Sequence, residues 1–169
     1  IRDSYKYIEA DLQLQKLVYN ADGTLSSDTT TAYTFTVDDA IANGGYSYSI
    51  YNKSGVLQSS GSFSASEKTF TLTNGQYIRI AVVPNGTYTI TETAVAGYVA
   101  TNNGAGSTQN SGTVTYSYDT DSNVAGEFLY TISNKANPTY TVTWVNYDGT
   151  ELEVDEDVPY GTCLLYTSP

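Results

Sequence analysis

The chain has 169 residues, a formal net charge of −11 at pH 7, no histidine, no methionine and a single cysteine. With no imidazole and one thiol, the chain lacks the usual zinc, copper and iron–sulfur ligand sets and the Ser-His and Cys-His nucleophile pairs, and the negative charge works against binding nucleic acid or an anionic membrane. Tyrosine is abundant, at 17 residues, among many Thr, Ser, Gly and Asn, which is a vocabulary of β-sheets and turns, and no apolar run approaches the length needed to span a bilayer.

The first segment, Ile1-Arg2-Asp3-Ser4, is best read together with the last, Cys163-Leu164-Leu165-Tyr166-Thr167-Ser168-Pro169. Ile-Arg-Asp can be written ATA AGA GAC, whose reverse complement is GTC TCT TAT. Read one frame over, inside TGT CTC TTA TAC ACA TCT, that DNA encodes Cys-Leu-Leu-Tyr-Thr-Ser. One short duplex in opposite orientations accounts for both ends, and it looks like the transposase mosaic-end adapter of sequencing libraries. Residues 1–4 and 163–169 are therefore expected to be translated adapter scars, to be left out of fold reasoning. On this reading the chain is a fragment, Cys163 is not native, and a missing secretion signal or wall anchor carries no information.

Between the ends, period-two alternation bounded by turn residues predicts strands, with almost no helix signal. Residues 11–18 alternate cleanly and end in an Asn20-Ala21-Asp22-Gly23 turn. Residues 33–37 form a second strand, and residues 38–45 a connection with room for one helical turn. Residues 46–51 and 56–63 read as a hairpin across Asn52-Lys53-Ser54-Gly55. Residues 68–73 and 77–83 read as a second hairpin joined through Asn74-Gly75. Pro84-Asn85-Gly86 turns the chain into a strand at 87–93; a short strand follows at 97–101, a Gly/Asn/Ser-rich loop at 102–112, and closing strands at 113–118 and 127–134. Strands at this spacing argue for a sandwich or barrel. Asn137-Pro138 then reads as a linker. A strand at 139–145, an Asp148-Gly149 turn and an acidic stretch at 151–157 amount to one hairpin, which cannot bury a core alone. The expected fold is an all-β, antiparallel β-sandwich over residues 5–137, followed at 138–162 by the start of a truncated second module.

Alternation also sorts side chains between faces. Lys16 shares its face with Leu12, Leu14 and Val18. Asn134 shares its face with Phe128, Tyr130 and Ile132. Glu92 shares its face with Tyr88 and Ile90. Three apolar faces thus each carry one polar group inward, an amine, a carboxamide and a carboxyl, although a buried unpaired charge is costly. Two readings fit this parity. In the first, burial favours a neutral amine and a protonated acid, Lys16 attacks the Asn134 carboxamide, Glu92 shuttles protons, and ammonia leaves from a new side-chain amide. In the second, Lys16 snorkels to the sandwich edge, Glu92 is its ion-pair partner, and Asn134 caps a strand.

The residues around the trio resemble a known family. LQLQKLV near the start resembles the "LxVxKxV" opening strand of Gram-positive pilin and adhesin domains. Tyr88-Thr89-Ile90-Thr91-Glu92-Thr93, followed by Ala94-Val95-Ala96-Gly97-Tyr98, resembles their "YTVTET…GY" segment. Phe128-Leu129-Tyr130-Thr131-Ile132-Ser133-Asn134 resembles their "VTFTN" ending. Over roughly residues 11–135 the chain is similar to the streptococcal pilin isopeptide-linkage family, related in fold to collagen-adhesin B-type domains. The resemblance implies an immunoglobulin-like or prealbumin-like sandwich. It maps the linking residues to Lys16 and Asn134 and the assisting acid to Glu92. The stretch 119–126 is insertion-like beside that pattern. The tail at 140–150 and 158–162 resembles a short repeat of Firmicute surface proteins.

The implied function is a structural stalk or backbone module of a Gram-positive surface protein or pilus, stabilised by a self-formed Lys–Asn isopeptide bond. It would be extracellular and attached to the cell wall by an anchor outside the fragment. Its partners would be neighbouring domains of the same protein, other pilin subunits, or host matrix or glycan. No cofactor, no metal and no membrane insertion are expected. The alternative is an adhesin module binding host glycan or matrix through an exposed aromatic surface. A carbohydrate-active enzyme would need a second inward carboxylate near Glu92, so an enzyme beyond one self-processing turnover is not expected. Asp119-Thr120-Asp121-Ser122-Asn123 shares the first half of a calcium-loop pattern, but Val124 replaces the required glycine and Tyr130 the closing Glu. The sequons at Asn52 and Asn85 fall in turns, where Asn is common.

Overall fold

In the computed structural model, which describes residues 10–82, 86–103, 111–117 and 128–166, the alternating segments form two packed sheets and a separate hairpin. The larger sheet runs β4 (Leu57–Ser62), β3 (Ser47–Tyr51), β6 (Tyr77–Val82), β1 (Ala10–Tyr19), β10 (Phe128–Ala136), β8 (Tyr98–Asn102). The smaller runs β5 (Thr69–Leu72), β2 (Tyr33–Val37), β7 (Thr87–Glu92), β9 (Thr113–Ser117). This is the expected all-β sandwich. Every pairing is antiparallel except one: β1 and β10 lie side by side and run parallel. The first and last described strands of the sandwich are therefore neighbours in the interior of the larger sheet.

Alternation supplies the core. Leu12, Leu14, Val18, Ile78, Ile80, Val82 and Ile132 face inward from the larger sheet, and Phe35, Val37, Phe70, Leu72, Tyr88, Ile90, Val114 and Tyr116 from the smaller. Phe35 and Phe70 are cross-strand partners with stacked rings 5.1 Å apart, the side-chain pairing that stabilises neighbouring strands. Each fully buried aliphatic side chain contributes about 1.5–3 kcal/mol through removal from water.

The hairpin over 46–63 forms as expected, as β3 and β4. The second expected hairpin does not. β5 pairs with β2 in the smaller sheet, while β6 pairs with β1 and β3 in the larger. The Asn74-Gly75 turn, with Gly75 at φ +88°, therefore crosses between sheets. A two-residue turn signal fixes a reversal of direction, whereas the sheet that receives the next strand is decided by the partner edge available to it.

Residues 38–45 contain α1 (Asp39–Asn43). Asp38 caps it, accepting from the Ile41 N–H at 3.0 Å through Oδ1 and from the Thr89 N–H of β7 at 2.6 Å through Oδ2. One carboxylate thus ties the helix start to the strand that carries Glu92. Asp38→Ala is expected to lower stability by about 1–3 kcal/mol, read as a drop in the denaturation midpoint, because it removes a cap and leaves a strand N–H without its acceptor.

After the sandwich, β11 (Thr139–Val145) and β12 (Glu151–Pro159) form an antiparallel hairpin, closed by a turn with Gly149 at φ +84°. Its side chains are mostly exposed, with the Trp144 indole N–H donating to Asp155 at 2.9 Å. Among the described residues no helix is long and apolar enough to cross a membrane. The expected scar at 1–4, Pro84-Asn85, most of the 102–112 loop, the 119–126 stretch with its calcium-like pattern, and residues 167–169 lie outside the described residues.

Candidate functional site

Lys16, Glu92 and Asn134 meet between the sheets. Their residues are 0%, 6% and 1% exposed, respectively. β1 and β10 pair with Lys16 opposite Ile132 and Val18 opposite Asn134. Lys16 and Asn134 are thus diagonal neighbours on the inward face, within reach for a long side chain. Glu92 ends β7 in the opposite sheet, where its backbone pairs with Phe35. The trio therefore spans the sandwich, with amine and carboxamide from one layer and the acid from the other.

The Lys16 Nζ lies 2.6 Å from Glu92 Oε1. The same oxygen accepts a hydrogen bond from Asn134 Nδ2 at 2.9 Å. Glu92 Oε2 and Asn134 Oδ1 are buried without a hydrogen-bond partner among the described residues. Burial pushes the Lys16 amine below its ordinary range, and the hydrogen bond and charge of Glu92 only partly offset this. The arrangement places a desolvated amine and a carboxamide on one acid oxygen, the ingredients of an acid-assisted aminolysis.

Two residues that strand parity had not marked complete the site. Tyr33 of β2 places its ring under the amine, with Nζ 4.6 Å from the ring centroid. It adds an apolar wall whose face attracts a cation. The Gly112 carbonyl accepts from the Glu92 N–H at 2.7 Å, and a Cβ on Gly112 would sit 3.3 Å from Glu92 Cβ. Tyr33 acts across the sandwich and Gly112 from beside β7 within its own sheet, and Gly112 lies in a segment that reads only as loop.

Among the described residues Glu92 is the one buried carboxylate, and no group of three His, Cys, Asp or Glu side chains stands where it could hold a metal ion. A second inward acid of the kind glycoside hydrolysis requires is thus absent from the described core.

The fold has relatives among solved structures. The major pilin from Streptococcus pyogenes superposes with a TM-score of 0.56 at 19% identity, over 76% of this chain and 48% of that one. The pilus-presented adhesin Spy0125 (Cpa) gives a TM-score of 0.50 at 18% identity, over 80% of this chain and 28% of that one. The chain thus spans less than half the length of either, and the likeness is one of fold. No curated protein matches. A family model described as a domain of unknown function (DUF7601) matches residues 10–127, so that Lys16 and Glu92 lie within the match and Asn134 just beyond it. With the greater part of its length inside that match, the chain belongs to the DUF7601 family, and the sandwich it folds into is pilin-like.

Proposed function

We propose that this chain is a structural module of a Gram-positive surface protein or pilus, stabilised by an amide that forms once between Lys16 and Asn134. The observation that carries the reading is the convergence of amine, acid and carboxamide within 2.6 and 2.9 Å in a buried pocket. A neutral Lys16 Nζ attacks Asn134 Cγ. Glu92, as the acid, donates to the carboxamide and takes a proton from the attacking nitrogen. The Cγ–Nδ2 bond breaks, the Nζ–Cγ bond forms, and ammonia carries away the leaving nitrogen. A protonated Glu92 also gives the carboxamide oxygen the donor it lacks, once the amide turns to exchange Nδ2 and Oδ1.

The pilin-like fold supports placing the module outside the cell, on the wall or in a pilus. Its partners would then be neighbouring domains of the same protein or other pilin subunits, with the hairpin at 138–162 opening the next module. Intact mass tests the chemistry: the purified chain should fall short of its sequence mass by one ammonia. A full-mass chain overturns the crosslink.

The lowered Lys16 pKa adds a pH signature to chains that cannot crosslink. In Asn134→Ala the amine stays free and buried. Between its depressed folded value and the ordinary 10.5, the unfolded chain binds more protons than the folded one, so stability rises with pH. The urea midpoint of Asn134→Ala should therefore climb as the pH rises from the depressed Lys16 value toward 10.5. Adding Lys16→Met should remove the climb.

A further inference from the structure

Lys16 lies where β1 has run past the end of its partner strand. β6 pairs with β1 only from Ala10 to Gln15, and Gln15 faces Tyr77, the first residue of β6. Beyond that point the same edge of β1 is held by the turn at 73–76 that crosses between the sheets. The Lys16 N–H donates to the Gln76 carbonyl at 2.9 Å, and the Gly75 N–H donates to the Lys16 carbonyl at 2.8 Å. The third bond comes from a side chain: Val18 N–H donates to Asn74 Oδ1 at 2.9 Å. Asn74 is itself buried, and its Nδ2 donates to the Ser26 carbonyl at 2.7 Å, while the Ser26 N–H returns to the Val18 carbonyl at 2.8 Å.

The turn is closed on itself. Gln76 N–H donates to the Thr73 carbonyl at 3.0 Å, and Thr73 N–H to Gln76 Oε1 at 2.8 Å. Gly75 adopts the left-handed conformation that lets the turn reverse here. A self-braced turn therefore grips the backbone on both sides of the Lys16 side chain, at the residue itself and two positions on. It also leads directly from β5 in the sheet that carries Glu92 to β6 in the sheet that carries Lys16.

We propose that Asn74 is a positioning residue for the Lys16–Asn134 reaction: by taking the place of a partner strand at Val18, it fixes where the Lys16 amine stands relative to Glu92 and Asn134. The proposal rests on the crosslink reading. It makes the sheet-to-sheet crossover a condition for the chemistry, so that chains in which the layers have not docked at this point keep Lys16 unreacted. Aminolysis is steeply sensitive to placement, and a misplacement of about 1 Å can slow such a step ~100-fold.

The test follows intact mass over time in the full chain, with near-UV circular dichroism reporting the folded fraction. Wild type should be short by one ammonia at the first time point. Folded Asn74→Ala should start at full mass and convert at least about tenfold more slowly. Asn74→Asp provides a readout that a merely structural role would not move. Its carboxylate still accepts from Val18 N–H, but only the protonated form can donate to the Ser26 carbonyl. Its conversion rate relative to Asn74→Ala should rise as the pH falls through the carboxyl range, from neutral to about pH 4. If Asn74→Ala does not fold, the acid-dependent conversion of Asn74→Asp, per folded molecule, decides alone. Folded variants that have lost their ammonia as early as wild type, or an Asn74→Asp rate without this pH dependence, overturn the proposal and leave the crosslink standing. A full-mass wild type overturns both.

Discussion

Glu92→Gln chains are expected to fold and to carry their full sequence mass, while wild-type chains made in parallel lack one ammonia. The substitution keeps the shape of the side chain and its place at the end of β7, so the sandwich has no steric reason to fail. What it removes is the group that can hold and release a proton at the single oxygen now shared by the Lys16 amine and the Asn134 carboxamide. Without that acid the attacking nitrogen has nowhere to send its proton and the leaving nitrogen nowhere to collect one. The same variant should melt well below wild type. A bond joining residues 16 and 134 closes a loop worth about 5 kcal/mol by the chain-entropy argument developed for disulfides, which corresponds to a melting shift on the order of 15 °C in a domain of this size. The buried Lys16, left without an acidic partner, lowers the variant further. Differential scanning calorimetry beside mass spectrometry checks both halves. A Glu92→Gln chain short by one ammonia would show that the acid is not needed.

Under tension the difference should be larger still. β1 and β10 are parallel neighbours, so pulling on the two ends of the sandwich loads them in shear along their shared ladder. With Lys16 bonded to Asn134, force entering β1 crosses the amide two residues before the end of β10 (Phe128–Ala136) and leaves toward the hairpin. The chain between the two residues is then off the load path. Single-molecule pulling of tandem wild-type modules should show no unfolding step from that region. In Lys16→Ala modules the roughly 120 residues between positions 16 and 134 should pay out as a step of about 400 Å. A full-length step in mass-verified crosslinked wild type would mean that the bond does not carry the load.

Several features of this protein follow from its sequence alone. Alternation in residues 11–18, 87–92 and 130–134 determined which side chains face the core, because a strand has only two faces and each of these segments has one apolar set. It thereby marked Lys16, Glu92 and Asn134 as inward polar groups. The absence of histidine and methionine narrowed the available chemistry before any fold was known.

Only the tertiary structure decided who stands next to whom. The parallel pairing of β1 with β10 is not written in either strand, since both ladders use the same alternation. The crossover at Asn74-Gly75 carries the same turn signal as a hairpin, and the unpaired edge of β1 beyond Gln15 is what draws it across. Tyr33, Asn74 and Gly112 owe their places beside Lys16 and Glu92 to that assembly. Local pattern determines the direction of a side chain, whereas distance between segments far apart in the chain is set by how whole sheets pack and by which backbone groups still need partners.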